Sequence, residues 1–231
     1  DQPGEPVKVT NIYQMLGEIA PDLLDVLGVD TVTISKAANS FGISNEGWKE
    51  WATFDGTPVL VPGGFNTEVE QNGDLLIYPQ GDQTVPPSGR MPQNGYYFDA
   101  IVRQPPIDDG ALWIEDNLEE FQFLTTEELA HYAFEVNRLY SQTDKAIMLN
   151  MGGTGFGDIA LVPAPQLKNP KGIREIEEWY ISMVTRQGYI EQVFERQCEI
   201  ALENLTRLHQ AVEEKVAAIF LSGTDFGGQK S

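Results

Sequence analysis

The chain has 231 residues, 41% of them hydrophobic and 10% aromatic, enough to form the core of one large α/β domain or two small ones. Its net charge of −20 disfavours nucleic acid and anionic membranes as partners. The single cysteine, Cys198, excludes an internal disulfide and a multi-cysteine metal cluster within the chain. Because the chain has neither a signal segment nor an apolar run of about 18 residues, it is predicted to be a soluble, cytoplasmic protein.

The amino-terminal part is predicted to be a loop followed by a helix–strand unit. Residues 1–10 are polar and contain prolines, which is typical of a loop. Apolar residues then recur at helical spacing, but Pro21 interrupts the pattern and is expected in the first turn of a second short helix. Gly28 is predicted to end this helix, and the β-branched run at Asp30–Ile34 predicts a strand.

Residues 48–102 have a different pattern, which predicts an antiparallel insertion. Two β-hairpins are indicated by Asp55-Gly56 and Asn72-Gly73, dipeptides that favour tight turns, because apolar runs flank both of them. Tyr96–Ile101 is predicted to add a further strand. The turn-rich loop before this strand carries Arg90, a candidate for binding a substrate carboxylate.

The rest of the chain alternates helical patterns with short apolar runs, which predicts a parallel α/β arrangement. Thr125 and Glu128 have capping-box spacing and mark the start of a helix. The run Ala146–Leu149 is typical of a strand buried on both faces. A second helical region is expected to break at Gly188, and it is followed by a long helix and a last strand, at Tyr189–Glu214 and Val216–Leu221.

Each of the last two strands runs into a glycine-rich loop, and in α/β enzymes ligands bind beyond the carboxyl ends of the strands. The first loop, GGTGFG at 152–157, resembles a dinucleotide-binding fingerprint, but no helix begins after Asp158 as that fingerprint requires. Gly153 and Gly155 are better explained as a floor that lets a substrate approach the backbone. A tight turn without a ligand is the alternative. Asn150 and Asp158, which flank these glycines, are also predicted to bind the substrate.

The second loop, SGTDFGGQ at 222–229, carries the best candidate for chemistry. Asp225 follows a buried strand, where its carboxylate can accept hydrogen bonds from a substrate or transfer a proton. Thr224 and Gln229 are predicted to bind the substrate, Gln229 through its amide. The alternative role of Asp225 is to cap a following helix.

Other reactive or charged side chains are predicted to have structural or solvated positions. Cys198 lies on the apolar stripe of the long helix and is predicted to be a core residue. His131 and His209 lie in helical patterns without metal-ligand spacing, so both are interpreted as surface histidines. Arg174 and Arg186 are suited to bind a substrate carboxylate, but solvated arginines are the favoured interpretation.

Several segments spread over essentially the whole chain carry a family resemblance: GVDTVTI, DGTPVLVPGGFN, NGDLLIYPQGD, SGRMPQNGYYFDAI, PKGIREIEEWY and FLSGTDFGGQ. Together they resemble the uroporphyrinogen decarboxylase superfamily, in its decarboxylase-like and methyltransferase-like branch. The last segment resembles the superfamily's Asp-Asp-Phe-Gly-Thr-Gln motif. Asp225, Phe226, Gly227 and Gln229 match that motif, whereas Thr224 and Gly228 depart from it.

The resemblance implies an α/β fold that is part of a (β/α)8 TIM barrel with an antiparallel β-hairpin insertion. Residues 1–231 are then expected to form a single partial barrel domain, with the β-rich insertion at about 48–102. The chain is expected to be a piece of a longer protein. Exposed parallel edge strands in such a piece favour association with the missing parts, or with a second copy as a homo-oligomer.

The resemblance implies two enzymatic functions. The first is methyl transfer or demethylation between a corrinoid or methylated substrate and a thiol acceptor. The second is cofactor-independent decarboxylation of a porphyrinogen in tetrapyrrole biosynthesis. The decarboxylases use an aspartate after an early strand, where this chain has SKAANS at 35–40 instead. That departure and the acidic balance favour methyl transfer, and a non-catalytic binding module is a further alternative.

The resemblance also sets the expected cofactors and partners. No cofactor is expected to bind within this chain, and none of its residues is assigned to a metal. Zinc, held by a His-x-Cys motif and a later cysteine beyond Ser231, and a corrinoid are implied for the full-length protein, so the fragment alone is expected to be inactive. The expected partners are a small-molecule, tetrapyrrole or corrinoid substrate and a corrinoid protein, with neither nucleic acid nor membrane among them.

Overall fold

A computed structural model describes residues 5–118, 121–151 and 158–221. Contacts divide the chain into two compact units. The first, called the β-rich unit, comprises Asp1–Val29, Ala37–Arg103 and Ala164–Asn169. The second, called the α/β unit, comprises Asp30–Lys36, Gln104–Pro163 and Pro170–Ser231.

The strands and α-helices alternate irregularly along the chain. In chain order they are β1 (Val7–Asn11), β2 (Leu16–Gly17), α1 (Pro21–Val26), β3 (Thr31–Ile34), β4 (Lys49–Ala52), β5 (Pro58–Val61), β6 (Thr67–Val69), β7 (Leu75–Ile77), β8 (Gly89–Met91), β9 (Asp99–Ala100), α2 (Thr126–Gln142), β10 (Ala146–Leu149), α3 (Ile176–Thr185), α4 (Gln187–Val212) and β11 (Ala218–Ile219). Short 3₁₀ turns lie at Pro79–Gly81, Asp109–Ala111, Ile114–Asn117 and Glu213–Lys215.

Within the described residues, the β-rich unit has two four-stranded sheets, ordered β2-β1-β5-β4 and β6-β7-β8-β9. Among the described strand pairs of this unit, only β1–β5 is parallel. Both predicted hairpins are confirmed, because β4 pairs with β5 across Asp55-Gly56 and β6 with β7 across Asn72-Gly73. Gly56 and Gly73 have φ angles of +84° and +88°, a left-handed conformation that favours glycine and explains its place in these turns.

The core of the β-rich unit is built around aromatic rings. Phe41, Phe65 and Phe98 are buried, and the Phe98 ring contacts the other two edge-on, at centroid distances of 5.7 and 6.2 Å. Gly89 in β8 passes close to this cluster, since a Cβ atom there would lie 2.7 Å from the Phe41 ring. The strands of this unit therefore pack around a core in which aromatic side chains from the loops lie beside apolar side chains from the strands.

The amino-terminal predictions are only partly correct. Residues 7–10, predicted as loop, belong to β1, and the segment from Ile12 to Pro21, predicted as helix, contains β2. Ile12 packs into the core of the β-rich unit. The apolar residues that follow it at helical spacing do not form the buried face of a helix, because this segment contains β2. Pro21 does begin α1 as predicted, and Gly28 follows this helix with φ +68°.

The α/β unit contains a three-stranded parallel sheet in the order β11-β10-β3. Helix α2 precedes β10, and helices α3 and α4 lie between β10 and β11, as expected for parallel strands, which need long connections. Helices α2 and α4 pack against the sheet, and the buried residues that they share with it are Ile34, Tyr132, Val136, Ile147, Leu149, Leu208 and Val212. The predicted strand at Ala146–Leu149 is confirmed.

The prediction of a partial (β/α)8 barrel is wrong. In the described part of the chain, the parallel sheet has three strands and is open, and the remaining strands belong to two separate sheets of the β-rich unit. A barrel requires a sheet that closes on itself with a regular stagger between its strands. Because strands β4 to β9 pair with one another or with β1, they do not extend the parallel sheet.

The start of α2 and the break between α3 and α4 follow from local side chains. Thr125 Oγ1 accepts the Glu128 N–H at 3.1 Å, and the Glu128 carboxylate accepts the Thr125 N–H at 2.8 Å, which confirms the capping box. The break predicted at Gly188 lies instead at Arg186, with φ −129° and ψ 41°. Its guanidinium pairs with Glu178 and Asp109, both at 2.5 Å, and fixes the junction.

We expect Thr125→Ala to lower the free energy of unfolding by about 1 kcal/mol, because it removes the acceptor for the Glu128 N–H. Urea denaturation followed by circular dichroism measures the change. Thr126→Ala is the matched control, since Thr126 lies one residue further along in the same exposed first turn, and it should leave stability nearly unchanged. Equal losses for the two variants would show that the cap does not stabilise α2.

Two predictions about single residues in the α/β unit are wrong. Cys198 is exposed rather than buried. The buried face of α4 includes Gln197 and Asn204 instead, and Asn204 accepts the Leu124 N–H at 2.8 Å and donates to the Gln122 carbonyl at 2.9 Å. A polar residue can be buried when its side chain is hydrogen-bonded. A prediction that places only apolar residues on the buried face of a helix therefore misses such positions.

The second wrong prediction concerns Arg174, which was interpreted as solvated but is fully buried.

The net charge of the sequence disfavours an anionic membrane as a partner. No helix in the described ranges is both long and apolar enough to cross a membrane.

Candidate functional site

The carboxyl edge of the parallel sheet is the candidate functional site. Strands β3, β10 and β11 reach this edge in register, with Ile34, Leu149 and Ile219 side by side. Hydrogen bonds continue one residue further, since the Asn150 N–H donates to the Ile34 carbonyl at 2.8 Å and the Phe220 N–H to the Leu149 carbonyl at 2.9 Å. The chain therefore leaves adjacent strands, spaced about 4.8 Å apart, where it enters the two glycine-rich segments.

Two of the predicted substrate-binding residues of the α/β unit, Asn150 and Asp158, lie among the described residues. Asn150 directly follows β10 and is half-buried, and the next residue, Met151, is buried. Asp158 organises a turn, because its carboxylate accepts the Ala160 N–H and its carbonyl accepts the Leu161 N–H, both at 3.0 Å. One carboxylate oxygen of Asp158 is thus engaged by the backbone.

Five of the predicted site residues lie outside the described residues. They are Gly153, Gly155, Thr224, Asp225 and Gln229. Their roles in binding and chemistry stay predictions. The described residues show that β10 and β11, the strands that precede segments 152–157 and 222–229 in the sequence, are neighbours in the sheet.

His131 lies at this edge of the sheet, although the sequence analysis predicted only a surface histidine at this position. It lies near the start of α2, and its Nε2 is 3.2 Å from the carbonyl oxygen of Ser35, the residue that directly follows β3. Its ring also contacts that of Tyr132. A helix that precedes a parallel strand begins near the carboxyl edge of its sheet, so the position of His131 close to the capping box was the available signal.

Arg90 belongs to the β-rich unit, where carboxylates engage its guanidinium. The distance to Glu70 is 2.9 Å, and the distance to Asp74 is 3.9 Å. A substrate carboxylate would compete with these two partners for Arg90. The predicted substrate-binding role of Arg90 stays a prediction.

The other two arginines named from the sequence have structural partners in the α/β unit. The guanidinium of Arg174 donates to the carbonyls of Lys171, Asp116 and Val162, at 2.6, 2.5 and 3.5 Å. The carboxylates of Asp109 and Glu178 raise the pKa of Arg186. Both arginines therefore link segments of the unit.

The described residues offer no ready-made metal centre. In those ranges, no three His, Cys, Asp or Glu side chains come close enough to hold a metal ion. Asn150 and His131 are the described residues that bring an amide and an imidazole to the sheet edge.

The fold and site together define an α/β protein whose candidate ligand site lies at the carboxyl edge of a parallel sheet. Comparisons with protein-family models, with curated proteins and with solved structures each found no match to this chain.

Proposed function

We propose that the protein is an enzyme of the uroporphyrinogen decarboxylase-like type that transfers a methyl group between a corrinoid or methylated substrate and a thiol acceptor. The main support is that β10 and β11 end side by side, at the points where the two glycine-rich segments begin. Ligands of open α/β sheets bind at this edge. The segment after β11 is also the one whose residues resemble the superfamily motif.

Within this proposal, Asp225 is the residue that handles the proton. A thiol must lose its proton to become a nucleophile, and a carboxylate at the edge of the sheet is suited to accept it. Thr224, Gln229 and Asn150 would hold the substrate by hydrogen bonds, and Gly153 and Gly155 would let it approach the backbone. The zinc ligands that the resemblance implies are not among the residues of this chain, so no step is assigned to zinc.

The proposal is tested by methyl transfer from methylcobalamin to a small thiol, followed spectroscopically with the full-length protein. We expect turnover, and we expect Asp225→Asn to lower kcat by about 100-fold, as general-base removal does. The matched control is Asp144→Asn, because Asp144 is exposed and precedes β10 at the opposite end of the strand. This control should keep full activity.

Two outcomes would contradict the proposal. Unchanged turnover in Asp225→Asn would remove Asp225 from the mechanism, even if methyl transfer itself is observed. Absence of methyl transfer together with release of CO2 from a porphyrinogen would favour the decarboxylase instead.

A further inference from the structure

Two loops of the β-rich unit hold a pair of exposed aromatic rings in contact. Phe54 lies at the tip of the β4–β5 hairpin, and Tyr96 follows the turn after β8. Their ring centroids are 4.6 Å apart, yet the residues are 50% and 52% exposed. The next residue, Tyr97, is also exposed. Large rings that remain open to solvent in adjacent loops are unlike the aromatic core of the same unit.

Both rings are fixed by their turns. In the hairpin, the Gly56 N–H donates to the Thr53 carbonyl at 2.9 Å, and the Thr53 N–H donates to the Thr57 carbonyl at 3.0 Å. In the second loop, the Gly95 N–H donates to the Pro92 carbonyl at 2.8 Å. Phe98, two residues after Tyr96, is buried in the core and anchors this loop. A partner would therefore meet a preformed surface and lose little entropy of the loops.

The charge beside these rings is negative. The Asp55 carboxylate accepts the Tyr96 hydroxyl at 3.2 Å, which brings a carboxylate to the edge of the ring pair. Hydrogen bonds from the Thr53 hydroxyl and then from the Thr57 backbone lower the pKa of Asp55 to about 2, so this group is ionised at neutral pH. The faces of aromatic rings also attract cations. The local field and the net charge of −20 therefore favour a cationic partner.

We propose that Phe54, Asp55 and Tyr96 form a docking site for an arginine-bearing segment of a partner protein. A guanidinium is planar, so it can stack on an exposed ring while its N–H groups donate to the neighbouring carboxylate. A compact, strongly hydrated lysine ammonium cannot do both equally well. Tyrosine and arginine are both enriched among the residues that dominate binding energy at interfaces, and such residues tend to pair with one another across the interface. This site does not depend on the proposed enzymatic function.

The probe is a blocked tetra-arginine peptide, titrated calorimetrically into the protein, with a tetra-citrulline peptide as the neutral control of the same shape. We expect only the arginine peptide to bind, and more weakly at high salt. Phe54→Ala and Tyr96→Ala should each weaken its affinity about three- to tenfold. Tyr96→Phe should retain most of the affinity because it keeps the ring. Tyr140→Ala, at an exposed tyrosine of α2, is the matched control and should bind as the unmodified protein does.

The site would be overturned if the citrulline peptide bound as tightly, or if Phe54→Ala and Tyr96→Ala left the affinity unchanged. The second result would mean that the overall acidity of the chain attracts the peptide without any need for the rings. Thermal unfolding of each variant separates loss of binding from loss of structure. Phe54→Leu adds a variant that keeps the apolar bulk and loses the aromatic face, and it should weaken binding as Phe54→Ala does.

Discussion

Replacement of Arg174 with alanine is expected to lower the free energy of unfolding by about 3–5 kcal/mol. The Arg174 side chain is fully buried and donates to carbonyls of three separate segments, at Lys171, Asp116 and Val162. Alanine would leave these carbonyls without their donor and a cavity in place of the guanidinium. Each buried polar group left unsatisfied costs about 1–3 kcal/mol, so the total exceeds that of an ordinary surface substitution.

The change is measured by urea denaturation followed by far-UV circular dichroism, which reports the helices of the α/β unit. Arg138→Ala is the matched control, because Arg138 is a half-exposed arginine of the same unit, ion-paired to Glu135 on α2. It should cost about 0.5 kcal/mol or less. Arg174→Lys keeps the charge but loses the planar fork of donors, so it should fall between the two. A loss below 1 kcal/mol for Arg174→Ala would show that the carbonyls find other donors.

The features that the sequence predicted correctly depend on neighbours in the chain. The turns at Asp55-Gly56 and Asn72-Gly73 and the capping box of Thr125 and Glu128 are each specified within a few residues. The parallel strand Ala146–Leu149 was likewise evident from its own apolar run. Each of these features therefore depends on residues that are close together in the sequence.

The wrong predictions concern pairing and burial, which distant residues decide. The barrel was inferred from a family resemblance, but sheet closure depends on which strands pair, and β1 pairs with β5 rather than extending the parallel sheet. Cys198 is exposed, and Gln197 and Asn204 are buried instead. The burial of the Asn204 amide is possible because it forms hydrogen bonds with residues some 80 positions earlier in the chain. At the candidate site, strand ends could be located from the sequence. The contact between His131 and the Ser35 carbonyl depends on how α2 packs against the sheet, so it could not be predicted from the sequence.

A methyl group added at Gly172 is expected to lower the free energy of unfolding by about 3 kcal/mol. Gly172 has φ +74°, and an added Cβ would overlap with Asn117 Oδ1, so Gly172→Ala combines backbone strain with a steric overlap. Asn117 cannot easily move aside. Its amide donates to the Ile173 carbonyl at 2.9 Å, and its Oδ1 accepts the Ile173 N–H at 2.9 Å and the Tyr189 hydroxyl at 2.8 Å.

The overlap and the strain can be separated with a double-mutant cycle. Asn117→Ala alone should cost about 2–3 kcal/mol, because it leaves buried groups of Ile173 unsatisfied. In that background the overlap is gone, so adding Gly172→Ala should cost only the strain of the positive φ angle, about 1–2 kcal/mol. The two substitutions should therefore be non-additive, with the double variant more stable than the sum of the single losses indicates.

Gly188→Ala is the control for adding a methyl group in the same unit. Gly188 lies at the start of α4, does not have a positive φ angle, and has no atom within 4 Å of an added Cβ. Alanine there should be neutral or stabilising by up to about 1 kcal/mol, because it favours the helix. If Gly172→Ala cost the same with and without Asn117, the overlap would contribute nothing, and backbone strain alone would explain why glycine occupies this position beside the buried Asn117–Tyr189 contact.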